Sequence, residues 1–148
     1  MRRTLLAALA ALSLAAQSLA AAARAAEPPD LVTIVTTAEP ETQLMSMVLT
    51  MQSLQQGART HLLLCGPGGD LALKEPPAAA TAPQQPRGMS PQGLLRAILR
   101  EGGTVEVCAL YLPNRGLGAE ALLEGIAAAK PPAMAARLLA PDTRILSF

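Results

Sequence analysis

Residues 31–57 read LVTIVTTAEPETQLMSMVLTMQSLQQG and combine a strand with a helix. Residues 31–37 are short, β-branched and nearly continuous, which is typical of a strand buried on both faces. Pro40 then opens a helical stretch that ends at Gly57, in which apolar residues recur at intervals of three and four: Leu44, Val48, Met51 and Leu54. A strand that leads directly into a helix is the opening unit of an α/β fold.

The same alternation continues along the chain. Further strands are expected at residues 60–65, 105–109 and 144–148, and further helices at 91–101, 119–129 and 131–139. Residues 75–89, rich in Pro and Ala, lack a period and are expected to form a surface loop. Because strands joined through helices lie parallel, the sequence predicts a mainly parallel sheet covered on both faces.

The first 25 residues have the features of a secretory signal peptide. Arg2 and Arg3 precede a short apolar run, and Ala23-Arg24-Ala25 offers a cleavage site, so the mature end is expected near Ala26. The apolar run is shorter than the roughly 20 residues that a spanning helix needs. We therefore expect a soluble protein that is periplasmic or otherwise exported, without a membrane span. The general secretory route is favoured, and the arginine pair leaves twin-arginine export open.

Residues 26–148 are expected to form a single domain. Three of the twelve basic residues and none of the eleven acidic ones precede residue 26, so this part of the chain is weakly acidic. That balance gives no support to a nucleic-acid partner. Tyr111 and Phe148 are the only aromatic residues, so the core must consist of aliphatic side chains and Met.

The two cysteines lie at the carboxyl ends of the second and third expected strands, at the sheet edge where α/β proteins place their sites. Cys108 has Arg115 and Gly116 downstream, and nearby positive charge favours a reactive thiolate. If another strand lay between them, the Cα atoms of Cys65 and Cys108 would be about 9–10 Å apart, beyond the roughly 7 Å that a disulfide tolerates. If the strands are neighbours, a bridge is possible. A core or site-lining role for Cys65 is favoured.

On these residues the chain resembles the DsrE/DsrF family of small sulfur-relay proteins, which includes the TusD type. The resemblance spans residues 31–148 and rests on Val107-Cys108-Ala109 with Arg115-Gly116, on the glycine turn after the second strand and on the run at 122–125. It implies a flavodoxin-like three-layer α/β sandwich and a homo-oligomer, trimer or hexamer. It also implies that Cys108 carries sulfur as a persulfide.

The expected function is that of an exported sulfur carrier or low-turnover sulfurtransferase. Cys108 would take sulfane sulfur from a donor and yield it to an acceptor thiol or protein, while Arg115 stabilises the thiolate by its charge. No cofactor or metal is expected for this chemistry. Better-known members of the family act in the cytoplasm, where they pass sulfur toward transfer RNA or act in sulfur oxidation. The expected signal peptide sends this protein out of the cytoplasm, which excludes transfer-RNA modification as a direct role.

Other interpretations stay open. Cys108 could be an inert buried thiol, as free cysteines often are, and the protein a non-catalytic oligomeric binding module. A periplasmic copper-binding protein is a further alternative, since Met45, Met47 and Met51 carry soft ligands for Cu(I). Met47 is expected off the helix face of Met51, so the three should not converge. His61, the only histidine, is expected at a strand edge on the surface.

Overall fold

The structure is a computed structural model that describes residues 28–148, so the expected signal peptide at 1–25 lies outside the described residues. Five strands form one parallel sheet in the order β4-β3-β2-β1-β5. The strands are β1 Asp30–Val35, β2 Arg59–Leu64, β3 Thr104–Val107, β4 Ala127–Ala128 and β5 Thr143–Ser147. The α-helices are α1 Pro40–Gln55, α2 Ala78–Thr81, α3 Pro91–Arg100, α4 Tyr111–Arg115 and α5 Pro131–Leu138, and 3-10 helices cover Gly66–Ala72 and Ala119–Ala121.

Helices cover both faces of the sheet. The chain moves in one direction from β1 to β4, with α1 and α3 packed together on one face, and returns through α5 to β5 beside β1. A right-handed crossover that reverses direction places its helix on the opposite face. The main core lies under α1 and α3, and a smaller core under α5 contains Val32, Leu63, Ala129 and Met134. The predicted three-layer α/β fold is confirmed.

Helix α1 forms where predicted, but its buried face differs. Of the predicted apolar stripe only Met51 is buried, and the buried positions are Gln43, Ser46, Met47, Thr50 and Met51. The buried face is rich in small polar side chains, and Thr50 joins the helix to the sheet: its Oγ1 lies 2.8 Å from Thr33 Oγ1 on β1 and 2.8 Å from the Ser46 carbonyl oxygen of its own helix. The expectation that Met47 lies off the buried face is therefore wrong.

The prediction of a helix at residues 119–129 is also wrong. Only the 3-10 turn Ala119–Ala121 is helical, Gly125 has a φ of +83°, and β4 then pairs with β3. Leu122, Leu123 and Ile126 are buried in the core. Burial of these side chains decides the backbone here, against the helix propensity of Ala and Leu.

The other predicted strands and helices occur within two residues of their expected bounds. The expected loop at 75–89 contains the short helix α2 and an isolated bridge between Gln84 and Met89, and Ala80 is buried. Helix α4 and the 3-10 helix Gly66–Ala72 were not predicted. No helix among residues 28–148 has the length and apolarity to cross a membrane.

His61 is a buried residue of the central strand β2, not the surface residue that was predicted. It is 5% exposed, and its Nε2 lies 2.7 Å from Glu106 Oε2. Its Nδ1 is buried without a hydrogen-bond partner among the described residues. Burial lowers the pKa of His61, and the Arg137 charge on α5 acts in the same direction, while Glu106 and Asp30 oppose them.

We expect His61 to make the fold sensitive to mild acid. Its pKa is lowered in the folded state, so below the unfolded value of about 6.5 the unfolded chain binds more protons and the free energy of unfolding falls. Replacing His61 with Gln keeps a donor for Glu106 but removes the titration. Denaturant unfolding between about pH 8 and pH 5.5 should show a smaller pH dependence in the variant. Parallel pH dependences in the two proteins would contradict this role.

Candidate functional site

The pairing of β2 with β3 brings the two cysteines together. Leu64 is the register partner of Val107, and each strand is followed directly by a cysteine. The Cα atoms of Cys65 and Cys108 are 5.0 Å apart, and a disulfide joins the side chains. The sequence left open whether a strand lies between the two cysteines. β2 and β3 are direct neighbours, which is the arrangement that permits a bridge. The preference for an unbridged Cys65 is therefore wrong, but Cys65 does line the site and packs against the smaller core, as expected.

Backbone hydrogen bonds fix both cysteines. The Cys65 N–H donates to the Val35 carbonyl oxygen at 2.9 Å, and the Cys108 N–H donates to the Leu64 carbonyl oxygen at 2.8 Å. The carbonyl oxygen of Cys108 accepts from the Tyr111 N–H at 2.8 Å. Both residues are half-buried and pack against the smaller core. The spacing of the pair is therefore set by the sheet as well as by the bridge.

The two segments that follow the cysteines pack against each other. A Cβ atom on Gly69 would overlap the Tyr111 ring, so only glycine allows this approach. The Tyr111 hydroxyl donates to Asp70 Oδ1 at 2.7 Å. Helix α4 then ends at Gly116, whose φ of +62° is the left-handed conformation that glycine adopts readily. These contacts hold the 3-10 helix after β2 against α4 after β3.

Arg115 belongs to a cluster centred on Asp70, which we call the Asp70 cluster and which also includes Tyr111. Arg115 Nη2 donates to Asp70 Oδ1 at 2.9 Å, and the guanidinium carbon lies 5.4 Å from the centre of the Tyr111 ring. Burial, with the Asp70 carboxylate as a second cause, raises the pKa of Tyr111. The carboxylate compensates part of the Arg115 charge, so Arg115 is a weaker source of positive potential than the sequence suggested.

Two cavities are lined in part by Cys108. The first, which we call the thiol cavity, measures about 300 Å³ and is lined by both cysteines, Gly66, Leu110, Tyr111, Asn114 and Arg115. The second, which we call the apolar cavity, measures about 260 Å³ and lies beside α5, with Leu63, Ala129, Pro131, Met134 and Leu138 in its wall. Cys108 lines both cavities, whereas Cys65 lines only the thiol cavity.

The structure thus brings Cys108 and Arg115, the two predicted site residues, to one cavity. Asp70 and Tyr111 also belong to the site but were not predicted as site residues. Tyr111 is one of only two aromatic residues and stands three positions after Cys108, which was a usable signal. Asp70 follows a run of glycines, and nothing in the sequence linked it to Arg115.

Larger cavities lie along α1 and hold no cysteine or histidine. Met45 lines one of them and is 52% exposed, while Met47 is fully buried in the core. Met45 and Met47 thus point to different environments, which removes the geometry that a methionine copper site needs. Among residues 28–148, no group of three or more His, Cys, Asp or Glu side chains could hold a metal ion.

Solved structures share this arrangement of strands and helices. The ychN protein from E. coli aligns with a TM-score of 0.64 and 18% identity, over 82% of this chain and 99% of its own. The chain has the same fold. MTH1491, a protein of unknown function from Methanobacterium thermoautotrophicum, aligns with a TM-score of 0.61 and 12% identity, over 81% of this chain and 99% of its own. No protein-family model and no curated protein sequence matches the chain. These two neighbours show the fold alone.

We expect the two charged residues of the Asp70 cluster to change thiol reactivity in opposite directions. In a reduced Cys65→Ser background, Arg115→Ala should slow alkylation of Cys108 at about pH 7 by about two- to tenfold, because the thiolate fraction falls tenfold per unit rise in pKa. Asp70→Asn keeps an oxygen acceptor for Tyr111 and leaves Arg115 uncompensated, so it should accelerate the reaction. The measurement is alkylation rate against pH, with circular dichroism as the check on folding. Identical profiles for all three proteins would remove Arg115 from the site.

Proposed function

We propose that the protein is a sulfur carrier that holds sulfane sulfur as a persulfide on Cys108 and passes it to an acceptor thiol. The observation that supports this most directly is the position of Cys108, at the carboxyl end of a parallel strand and open to a cavity that also contains Arg115. The fold shared with the ychN protein is consistent with this proposal. The proposed activity is carriage or low-turnover sulfur transfer.

The loading step begins from the reduced protein. The Cys108 thiolate attacks the outer sulfur of a donor such as thiosulfate, a bond forms between Cys108 Sγ and that sulfur, and the donor bond breaks. With thiosulfate, sulfite leaves with the electron pair of the broken bond, and one proton is taken up by the persulfide. In transfer, an acceptor thiolate attacks the terminal sulfur and Cys108 thiolate leaves. Arg115 is 44% exposed on its side chain and can attract an anionic donor to the thiol cavity.

A second candidate function is a non-catalytic binding module of the same fold. The bridge between Cys65 and Cys108 favours it, because a disulfide that is never reduced would leave neither thiol available. Such a bridge stabilises a small exported domain without any chemistry. The two functions differ in whether the reduced protein accepts sulfur.

We expect Cys108→Ser to abolish sulfur loading and Cys65→Ser to permit it. Each reduced single-thiol variant is incubated with thiosulfate or inorganic polysulfide and desalted, and intact mass spectrometry then detects an adduct of about 32 Da for one sulfur atom. The double cysteine variant is the control for adducts elsewhere. An adduct on Cys108→Ser equal to that on Cys65→Ser, or none on either variant, would overturn the carrier function.

We further propose that the protein works outside the cytoplasm. The disulfide agrees with an oxidising compartment, and the expected signal peptide supplies the route. N-terminal sequencing of the exported protein should begin near Ala26, and a soluble protein that keeps Met1 would contradict export. A trimer or hexamer stays a prediction from the family resemblance, which light scattering would measure.

A further inference from the structure

The bridge shows that the Cys65 sulfur reaches the Cys108 sulfur within the folded chain. Each cysteine is anchored by backbone hydrogen bonds to a neighbouring strand, and the segments after them stay joined through Gly69, Asp70 and Tyr111. None of these contacts involves a sulfur atom. Reduction of the bridge therefore leaves the two thiols next to each other.

We propose that Cys65 is a resolving thiol, which displaces the sulfur held by Cys108 and releases it as hydrosulfide. This inference rests on the proposed function, since Cys108 must first be loaded. It adds an activity to carriage: reduction of sulfane sulfur to hydrosulfide, with a dithiol as the external reductant.

The resolving step balances within the chain. The Cys65 thiolate attacks Cys108 Sγ, so the Cys65–Cys108 bond forms while the bond from Cys108 Sγ to the terminal sulfur breaks. The terminal sulfur leaves with that electron pair as hydrosulfide and keeps the persulfide proton. The protein dithiol has then lost two electrons to the sulfane sulfur and has become the disulfide. A dithiol reductant restores both thiols by exchange and becomes a disulfide itself.

The two cavities assign the roles of the two cysteines. In displacement at sulfur, the leaving atom stands on the side of Cys108 opposite to the attacking Cys65. Cys108 lines a cavity that Cys65 does not, the apolar cavity beside α5, whose volume of about 260 Å³ exceeds the needs of one sulfur atom. Its wall contains Leu63 and Met134, which suit a polarisable, weakly solvated sulfur. Cys65 lines only the thiol cavity, so Cys108 is the carrier and Cys65 the attacking residue.

Attack by Cys65 competes well with any acceptor in solution. A thiol held beside its target acts at a high effective concentration, because the ordering is already provided by the fold. Here the fold holds the two Cα atoms 5.0 Å apart. Wild-type protein is therefore expected to keep a persulfide only briefly, and removal of Cys65 turns it into a long-lived carrier.

The test compares reduced wild type with Cys65→Ser, both loaded anaerobically with inorganic polysulfide and desalted at once. Wild type should end as the intramolecular disulfide, with one hydrosulfide released per chain loaded, whereas Cys65→Ser should keep its adduct at least about tenfold longer. The readouts are intact mass, free thiol content and sulfide in the filtrate. A wild-type sample without polysulfide controls for oxidation during handling. Cys65→Ala is the matched control for any effect of the serine hydroxyl.

The outcomes separate the two proposals. If Cys65→Ser loads and wild type holds its adduct equally long without forming the disulfide, the resolving role is wrong and the carrier function stands. If Cys65→Ser fails to load while keeping its fold, the carrier function is wrong and the resolving role falls with it. The reverse reaction provides an independent check: oxidised wild type treated with sodium sulfide should yield a persulfide on Cys108 and a free thiol on Cys65. A persulfide on Cys65 with a free thiol on Cys108 would overturn the assignment of Cys108 as carrier and Cys65 as resolving thiol.

Discussion

The parallel pairing of β2 with β3 is the constraint on which the candidate site depends. In a parallel sheet the carboxyl ends of neighbouring strands lie at the same edge, and the register of Leu64 with Val107 brings the next residue of each strand to the same level. A shift of one residue would turn one sulfur to the other face of the sheet. The disulfide, the thiol cavity and the packing of α4 all follow from this pairing.

The sequence was sufficient for the elements that form the scaffold. A nearly continuous β-branched run predicted β1, and a short apolar run predicted β2. Ser90-Pro91 predicted the start of α3, where Ser90 Oγ accepts from the Gly93 N–H at 3.2 Å. These signals depend on residues that are close together in the sequence, so contacts between distant segments do not change the elements that they predict. The position of Cys108 after a strand and of Arg115 on the following segment was predictable for the same reason.

Features that depend on contacts between distant segments were not predictable. Strand order decides whether Cys65 faces Cys108, and no local pattern encodes it. The stretch that becomes β4 has the composition of a helix, but Leu122 and Leu123 are needed in the core. His61 was predicted at the surface, but its strand β2 is the central strand of the sheet, and the side chain is therefore buried. The ion pair of Asp70 with Arg115 joins residues that only the β2–β3 pairing brings together.

The bridge also affects how easily the chain unfolds. It joins residues 43 positions apart, and closing a loop of that length removes unfolded-state entropy equivalent to about 4 kcal/mol in a simple chain model. That is a large part of the free energy of unfolding of a typical small domain. The oxidised chain is accordingly the form that resists proteases, and the dithiol form spends more time unfolded. Reduction of the bridge is therefore expected to shorten the lifetime of the chain wherever proteases are present.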